Sequence, residues 1–415
     1  MKNRTGNLFP TITLILALLV SVSVSAQTGI NSPYSRFGYG LLSDNSIGIA
    51  KSMGGIGAGF RMPNRINVKN PASYSSVDTL TFIADMGLSL SFASFQENGV
   101  RVNATNAGID HMAMQFRILP KVGMTLGFMP FSKIGYEYSS SQVIRRDEDG
   151  VVTSTSANSG TGALRQFMAG LGWRPSGWLS VGVNASYLTG DMTLSSPTTF
   201  SSTGISSTNI SKTADMAALK LDFGIQSTLN VSGNTLVLGA TYTPALDLES
   251  EATMIATDTV SVSDAFSMPE LMTAGFTYRW NRGMIGADVS YQTWSKARFF
   301  GEQYGLDRLT ASAGYMIQPD EYSKNMFKRA SYQVGARFAQ PYVMVGDSKG
   351  PWEFGVTAGM SMPVNSSYNS MAYLHVSGEY VRVQPMAKGM IVENYFRINI
   401  GVTFLERWFM KWMVD

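Results

Sequence analysis

The sequence predicts an all-β fold, an antiparallel transmembrane β-barrel of about fourteen strands with an N-terminal plug in its lumen. Three observations carry that prediction. After residue 78 the chain repeats one unit, an amphipathic segment of about 10 to 19 residues alternating at period two, then polar or Gly/Pro-rich punctuation. The connections between these segments alternate between short and long. Charged residues make up only 15% of the chain, fewer than a soluble fold with its apolar faces turned inward usually displays. A soluble sandwich or propeller also closes its hydrogen bonding, so the direction of burial discriminates. Here long strands combine an apolar face with one of Tyr, Ser, Gln and Arg.

Residues 1–26 read as a cleaved secretory leader: Lys2 and Arg4 precede an apolar run centred on Ile12 to Val20, and Ser23-Val24-Ser25-Ala26 supplies small residues before Gln27. The run is about a dozen residues, short of the ~20 that cross a bilayer as a helix. No cysteine follows it, which excludes a lipoprotein anchor. Removing Lys2 and Arg4 takes the formal charge from +3 to +1, which argues against nucleic acid as a partner. The absence of cysteine fits an oxidising envelope compartment.

Residues 27–78 lack alternation. Gly38, Gly40, Gly48, Gly54, Gly55, Gly57 and Gly59 punctuate a stretch that also carries Phe37, Tyr39, Leu41, Leu42, Ile47, Met53, Ile56 and Phe60. That is more apolar surface than a solvated tail holds, and glycine permits tight turns, so a compact insertion in the lumen is expected. The Gly54 to Gly59 run lacks the strand and helix that give a dinucleotide fingerprint its meaning.

The barrel occupies residues 79–404. In Val392 to Phe404, Val392, Phe396, Ile398, Ile400, Val402 and Phe404 share one face, with Asn394 as the exception, and Glu393, Tyr395, Arg397, Asn399, Gly401 and Thr403 share the other. Strands start near residues 79, 109, 121, 163, 178, 214, 233, 268, 283, 304, 328, 353, 371 and 392. Short turns at Leu119-Pro120-Lys121, Arg174 to Gly177, Asn230 to Gly233 and Asn281-Arg282 contrast with long Ser/Thr/Asp-rich connections near 139–162, 195–213 and 245–267, as periplasmic turns contrast with extracellular loops. Trp173, Trp178 and Trp280 flank the short turns, where amphipathic rings sit at a membrane interface. Strand three, Val122 to Tyr138, contains Met129-Pro130-Phe131-Ser132; proline has no ladder donor, so it marks either a bulge or gap or the strand's end. Residues 405–415 form an aromatic, partly basic tail.

The opening Asn31-Ser32-Pro33-Tyr34-Ser35-Arg36-Phe37-Gly38, the stretch Ser52-Met53-Gly54-Gly55, and Asn70-Pro71-Ala72 just before strand one together resemble the FadL-like long-chain fatty-acid transporter family, in the form common among Bacteroidota. The resemblance implies a fourteen-stranded Gram-negative outer-membrane barrel, a hatch containing the Asn70, Pro71 and Ala72 motif, and passive uptake of hydrophobic molecules with no cofactor. It implies Phe37, Tyr39, Met53, Ile56 and Phe60 as candidates for an apolar pocket, and Pro130, Phe131 and Ser132 as a lateral gate. Arg65 or Lys69 could attract a ligand carboxylate or pair with a wall carboxylate such as Glu393. Two departures limit the resemblance. The long loops carry few aromatics, so no outer hydrophobic landing site is evident, and the aromatic tail marks a contact surface. A second reading follows, a barrel of this type serving as a non-transporting accessory subunit of a larger outer-membrane secretion or assembly complex. Catalysis is not expected: His111 and His375 are the only histidines, and Ser377 lies on the same strand face as His375 with no accompanying motif. No metal ligation is expected. The expected partners are the bilayer, a hydrophobic small molecule and other outer-membrane proteins.

Overall fold

The computed structural model describes residues 30–407 apart from 148–149, 203, 257–258, 304, 321–322, 367–369 and 388. The expected leader (1–26) and residues 408–415 of the expected tail lie outside the described residues.

Fourteen antiparallel strands form the wall: β1 (Thr81–Glu97), β2 (Val100–Leu119), β3 (Val122–Asp147), β4 (Gly150–Trp173), β5 (Leu179–Phe200), β6 (Thr208–Val231), β7 (Asn234–Thr243), β8 (Leu271–Trp280), β9 (Gly283–Gln292), β10 (Arg308–Ile317), β11 (Ser331–Ala339), β12 (Trp352–Ser366), β13 (Ser370–Gln384) and β14 (Val392–Arg407). β14 pairs with β1 from Gln96↔Val392 to Thr81↔Arg407, which closes the barrel. Closure leaves no sheet edge at this seam, as lipid requires.

The alternation has the direction expected of a membrane barrel. Leu219, Phe223, Ile225, Leu238, Ile285 and Val356 are exposed, whereas their inward neighbours Gln226, Thr277, Asp288 and Thr357 are buried. In β14, Glu393, Tyr395, Asn399, Gly401 and Thr403 are all buried, and Phe396 and Ile400 face out. Trp173 and Trp178 are exposed at the short-turn end of the wall.

Several boundaries differ from the sequence reading. β2 begins at Val100 rather than near 109, and the segments 139–162 and 195–213 are largely strand rather than loop, because β3, β4, β5 and β6 run on as long hairpins. Thr favours strands, and cross-strand hydroxyl pairs such as Ser141 with Thr155 at 2.9 Å and Ser156 with Thr198 at 2.7 Å stabilise these extensions without apolar burial. The 245–267 connection contains a further hairpin, Glu249–Ile255 with Thr259–Val262, laid against β6. β14 extends past Phe404 to Arg407.

The wall is uneven in height. β3 to β6 have 22 to 26 residues, while β7 to β11 have 9 or 10. A tilted strand needs only about 9–11 residues to cross a bilayer, so β3 to β6 stand well clear of it on the long-connection side.

Candidate functional site

Residues 30–78 pack against the inward faces of the strands. Pro71–Ser76 form a 3-10 turn capped by Asn70, whose Oδ1 accepts from the Ala72 N–H at 3.1 Å while its Nδ2 donates to the Ala58 carbonyl at 2.7 Å and the Ile225 carbonyl at 3.2 Å. Proline at the first helical position and a side-chain cap together set this turn. Asn70, Pro71 and Ala72 thus sit between the N-terminal segment and β6, all three buried. The Asp288 carboxylate on β9 accepts the Gly57 and Ala58 N–H groups at 2.5 and 2.8 Å. Thr277 donates to the Gly59 carbonyl at 2.7 Å, and Gln226 donates to the Ala58 carbonyl at 2.9 Å. Arg61 donates to Gln226 Oε1 and to the Ala72 carbonyl, both at 3.0 Å; burial lowers its pKa to about 10.

Sequence reasoning missed what permits this apposition. Inward glycines line up across neighbouring strands, with Gly172↔Gly182↔Gly224 on β4 to β6, Gly239↔Gly275 on β7 and β8, and Gly286↔Gly314↔Gly335 on β9 to β11. A Cβ at Gly239 would overlap the Ala58 carbonyl oxygen, and one at Gly182 would overlap the Pro71 backbone. The wall therefore meets the backbone of the inner segment directly. The signal in the sequence is a repeated triplet of glycine between apolar residues, as in Val181-Gly182-Val183, Phe223-Gly224-Ile225 and Ile285-Gly286-Ala287.

The five apolar pocket candidates fall into two separate clusters. Tyr39 is buried and its ring lies 5.4 to 6.0 Å from those of Phe266, Trp294 and Phe299, with Phe37 packed alongside. Its hydroxyl donates to the Ser267 and Arg298 carbonyls. Met53, Ile56 and Phe60 are buried among Ile49, Met284 and Met316. None of the five lines the cavity between inner segment and wall, ≈ 260 Å³, although Leu42 and Phe131, which pack against the Tyr39 cluster, do. Its lining is mixed: apolar side chains such as Leu42, Val68, Met129, Phe131, Met168 and Phe338 are interspersed with ion pairs, Lys69 with Asp44 at 2.7 Å, Lys220 with Asp222 at 2.9 Å and Arg308 with Glu353 at 3.2 Å, and Arg337 bonds Glu379 at 2.9 Å. Burial would raise the Asp44 pKa, but Lys69, Arg337 and Lys51 outweigh it and hold the carboxyl at about 2. Arg65 lies over the Tyr373 ring at 3.8 Å, with its pKa lowered by burial. Neither Arg65 nor Lys69 pairs with Glu393, which instead accepts from Ser32 at 2.8 Å and Tyr395 at 2.6 Å.

Both histidines belong to one buried chain of polar contacts. Lys51 bonds Asp110; His111 bridges Asp110 at 3.1 Å and Asp85 at 2.7 Å; Thr403 joins Asp85 to His375, whose Nε2 lies 2.6 Å from the Thr403 hydroxyl. Ser377 is outside this chain and accepts from Asn399. No Ser–His pair is assembled among the described residues, nor any acidic and histidine cluster able to hold a metal ion.

At one place the wall is discontinuous. β2 and β3 pair only from Met112↔Phe128 to Leu119↔Val122, so their ladder stops two residues short of Pro130. β3 itself continues through Pro130 with a register shift against β4 between Pro130 and Ser132, which makes the proline a bulge rather than a strand end. The freed edge of β3 takes the N-terminal segment instead. Leu41 and Leu42 pair with Lys133 and Ser132, the Ser43 N–H donates to the Phe131 carbonyl at 2.9 Å, and Ser35 Oγ bonds both the Gly135 N–H and its carbonyl. Ser132 is buried and Phe131 is half-buried beside the Tyr39 cluster.

The fold recurs in solved structures. The chain superposes on a Pseudomonas aeruginosa FadL homologue with a TM-score of 0.59 at 10% identity, covering 88% of this chain and 98% of that one. The P. putida toluene transporter TodX gives 0.57 at 14%, over 89% and 100%, and the Ralstonia pickettii toluene transporter TbuX gives 0.55 at 13%, over 88% and 99%. At these identities the likeness is one of fold. No curated protein matches the sequence. A protein-family model, BamG, matches residues 8–415, nearly the whole chain, and on that match the chain belongs to the BamG family.

Proposed function

We propose that the chain is an outer-membrane barrel, delivered by a cleaved leader at 1–26, that acts as a non-transporting accessory subunit of a larger outer-membrane secretion or assembly complex. One observation carries this reading: the inner segment is in backbone contact with the wall, and the space left, though partly apolar, is crossed by charges already paired with one another. A carrier of greasy molecules needs an apolar pocket of about 300 Å³ or more for its ligand to enter. The apolar side chains expected to form one are spent on packing. The test is the native mass of the protein extracted from its own membrane in mild detergent, with small molecules identified in the same run. A reproducible assembly with other envelope proteins supports the subunit reading; a lone barrel carrying an acyl or aromatic ligand overturns it.

A second reading is favoured by a different observation. The β2–β3 ladder stops beside Pro130, and a gap there would give a hydrophobic molecule a sideways exit to the bilayer, as the resemblance to fatty-acid transporters implies. TodX and TbuX, which share the fold, are described as toluene transporters. In this reading Pro130, Phe131 and Ser132 line the exit, Asn70, Pro71 and Ala72 anchor the plug, and Phe37, Tyr39, Met53, Ile56 and Phe60 open to form the pocket when the plug shifts. Uptake or binding of a long-chain fatty acid or toluene by the lone barrel in liposomes separates the two readings.

A further inference from the structure

We infer that the long-connection half of β2, Val100–Ile109, is a docking edge that takes an extended strand from a neighbouring envelope protein. This rests on the accessory-subunit reading and names the form of the contact. β2 pairs with β1 along its whole length to Glu97↔Val100, but on its other side it has no ladder partner beyond Met112 among the described residues. None of the turn and loop backbone bonds involves residues 100–109 either. The N-terminal segment enters the same opening yet pairs its backbone with β3; over Val100–Ile109 it meets β2 through side chains, Asn31 with Asn106 at 3.5 Å and the Tyr34 cluster against Ala104. Ten residues at about 3.4 Å each leave roughly 34 Å of sheet edge with alternating donors and acceptors.

Exposed edges are usually blunted by lysine, proline or a bulge. This one has no lysine or proline between Val100 and Ile109, its bulge lies beyond them at Asp110, and its single charge is turned away, because Arg101 Nε donates to Ser94 Oγ across on β1 at 2.6 Å. Val100 and Val102 are more than half exposed, beside Asn103 and Thr105, so apolar and polar side chains share the surface around the edge. The spacing of the free groups selects the occupant. A row of N–H and C=O groups at ladder spacing is matched by an extended polypeptide and not by lipid or a small molecule. The opening already shows this mode of recognition, since Leu41 and Leu42 add a short antiparallel strand to the facing edge of β3. Two copies inserted in the same direction would bring their β2 strands together parallel, the less stable pairing, so a different chain running antiparallel is the better fit.

Hydrogen exchange read by mass spectrometry tests the inference on two samples, the assembly extracted from its native membrane and the same protein produced alone. In the assembly, about half of the amides in peptides spanning 100–109 are expected to exchange at least ~100-fold more slowly, while peptides from the doubly paired β11 do not change. Proline placed singly at positions 104 to 107 should release the partner at alternate positions, where the amide faces the opening. The intervening positions, whose amides bond to β1, should weaken the barrel instead. An intact assembly with unchanged exchange over 100–109 overturns the docking edge and leaves the subunit reading standing. A lone barrel from the native membrane overturns both. Protection that appears when the lone protein is placed in a bilayer assigns the edge to lipid cover and overturns the strand. Protection confined to a homodimer overturns the choice of partner.

Discussion

The wall from β4 to β11 and the junction of β2 with β3 solve opposite problems with the same backbone chemistry. In the first region each ladder keeps one register and glycines replace side chains where the inner segment passes, so two backbones touch and ion pairs cross the cavity that remains. In the second the ladder is interrupted, a bulge at Pro130 bends β3, and part of the exposed edge is covered by a borrowed strand of two residues. The first arrangement packs the inner segment tightly against the wall. The second leaves hydrogen-bonding capacity unused on the outside of the wall. On the proposed reading, a barrel of the same overall fold is closed to transport along its axis and open to association along its side.

The comparison breaks most readily at the glycines. Gly239→Val should cost more than about 4 kcal/mol, because its side chain meets the Ala58 carbonyl rather than a flexible neighbour. The expected result is release of residues 30–78 to trypsin and loss of the heat-modifiable folded band on gels; an unchanged cleavage pattern would show that the inner segment is not locked to the wall. Asp288→Ala leaves the Gly57 and Ala58 N–H groups without their acceptor and should cost about 2–4 kcal/mol in denaturant unfolding, more than a wall substitution such as Asn394→Ala.

Acid gives a smaller and more specific effect. The Asp44 carboxyl, held at about 2 against an ordinary 3.8, contributes its stabilisation in full above pH 4 and loses it as pH falls from about 4 to 2. Asp44→Asn should therefore lower stability by about 2 kcal/mol at pH 7 and by little at pH 2. Equal losses at both pH values would assign Asp44 a packing role instead. Pro130→Ala should change stability least, by under about 1 kcal/mol, because β3 already runs through this position with its bulge. If the sideways exit operates, the same substitution slows uptake of hydrophobic ligands while the mass of the native assembly stays the same; if the subunit reading holds, neither changes.

Much of this architecture was legible in the sequence where lipid imposes a pattern. The apolar alternation of Val392 to Phe404 exists because one face meets hydrocarbon, and there the expected strand start agrees with the structure. Where neither face meets lipid the pattern vanishes. Val100 to Gly108 and the Ser/Thr-rich ends of β3 to β6 are strand nonetheless, held by ladders and hydroxyl pairs that leave no amphipathic trace. The site was less legible for a related reason. Met53, Ile56 and Phe60 were identifiable as apolar and enclosed, but composition does not distinguish a side chain that faces a ligand from one that packs on Met284 or Met316. The glycine triplets were readable, yet their meaning depends on register across the eight strands β4 to β11, which only the assembled sheet supplies.

The fit of inner segment to wall also sets an order in time. A chain whose backbone rests in grooves left by Gly182 and Gly239 has no clearance to be threaded through a finished cylinder. Residues 30–78 emerge first, and the wall has to wrap around them, so the seam between β1 and β14 is the last joint to form. A variant that delays the inner segment should accumulate as an unsealed sheet, exposed to the quality control of the envelope, long before any defect in the mature barrel could be measured.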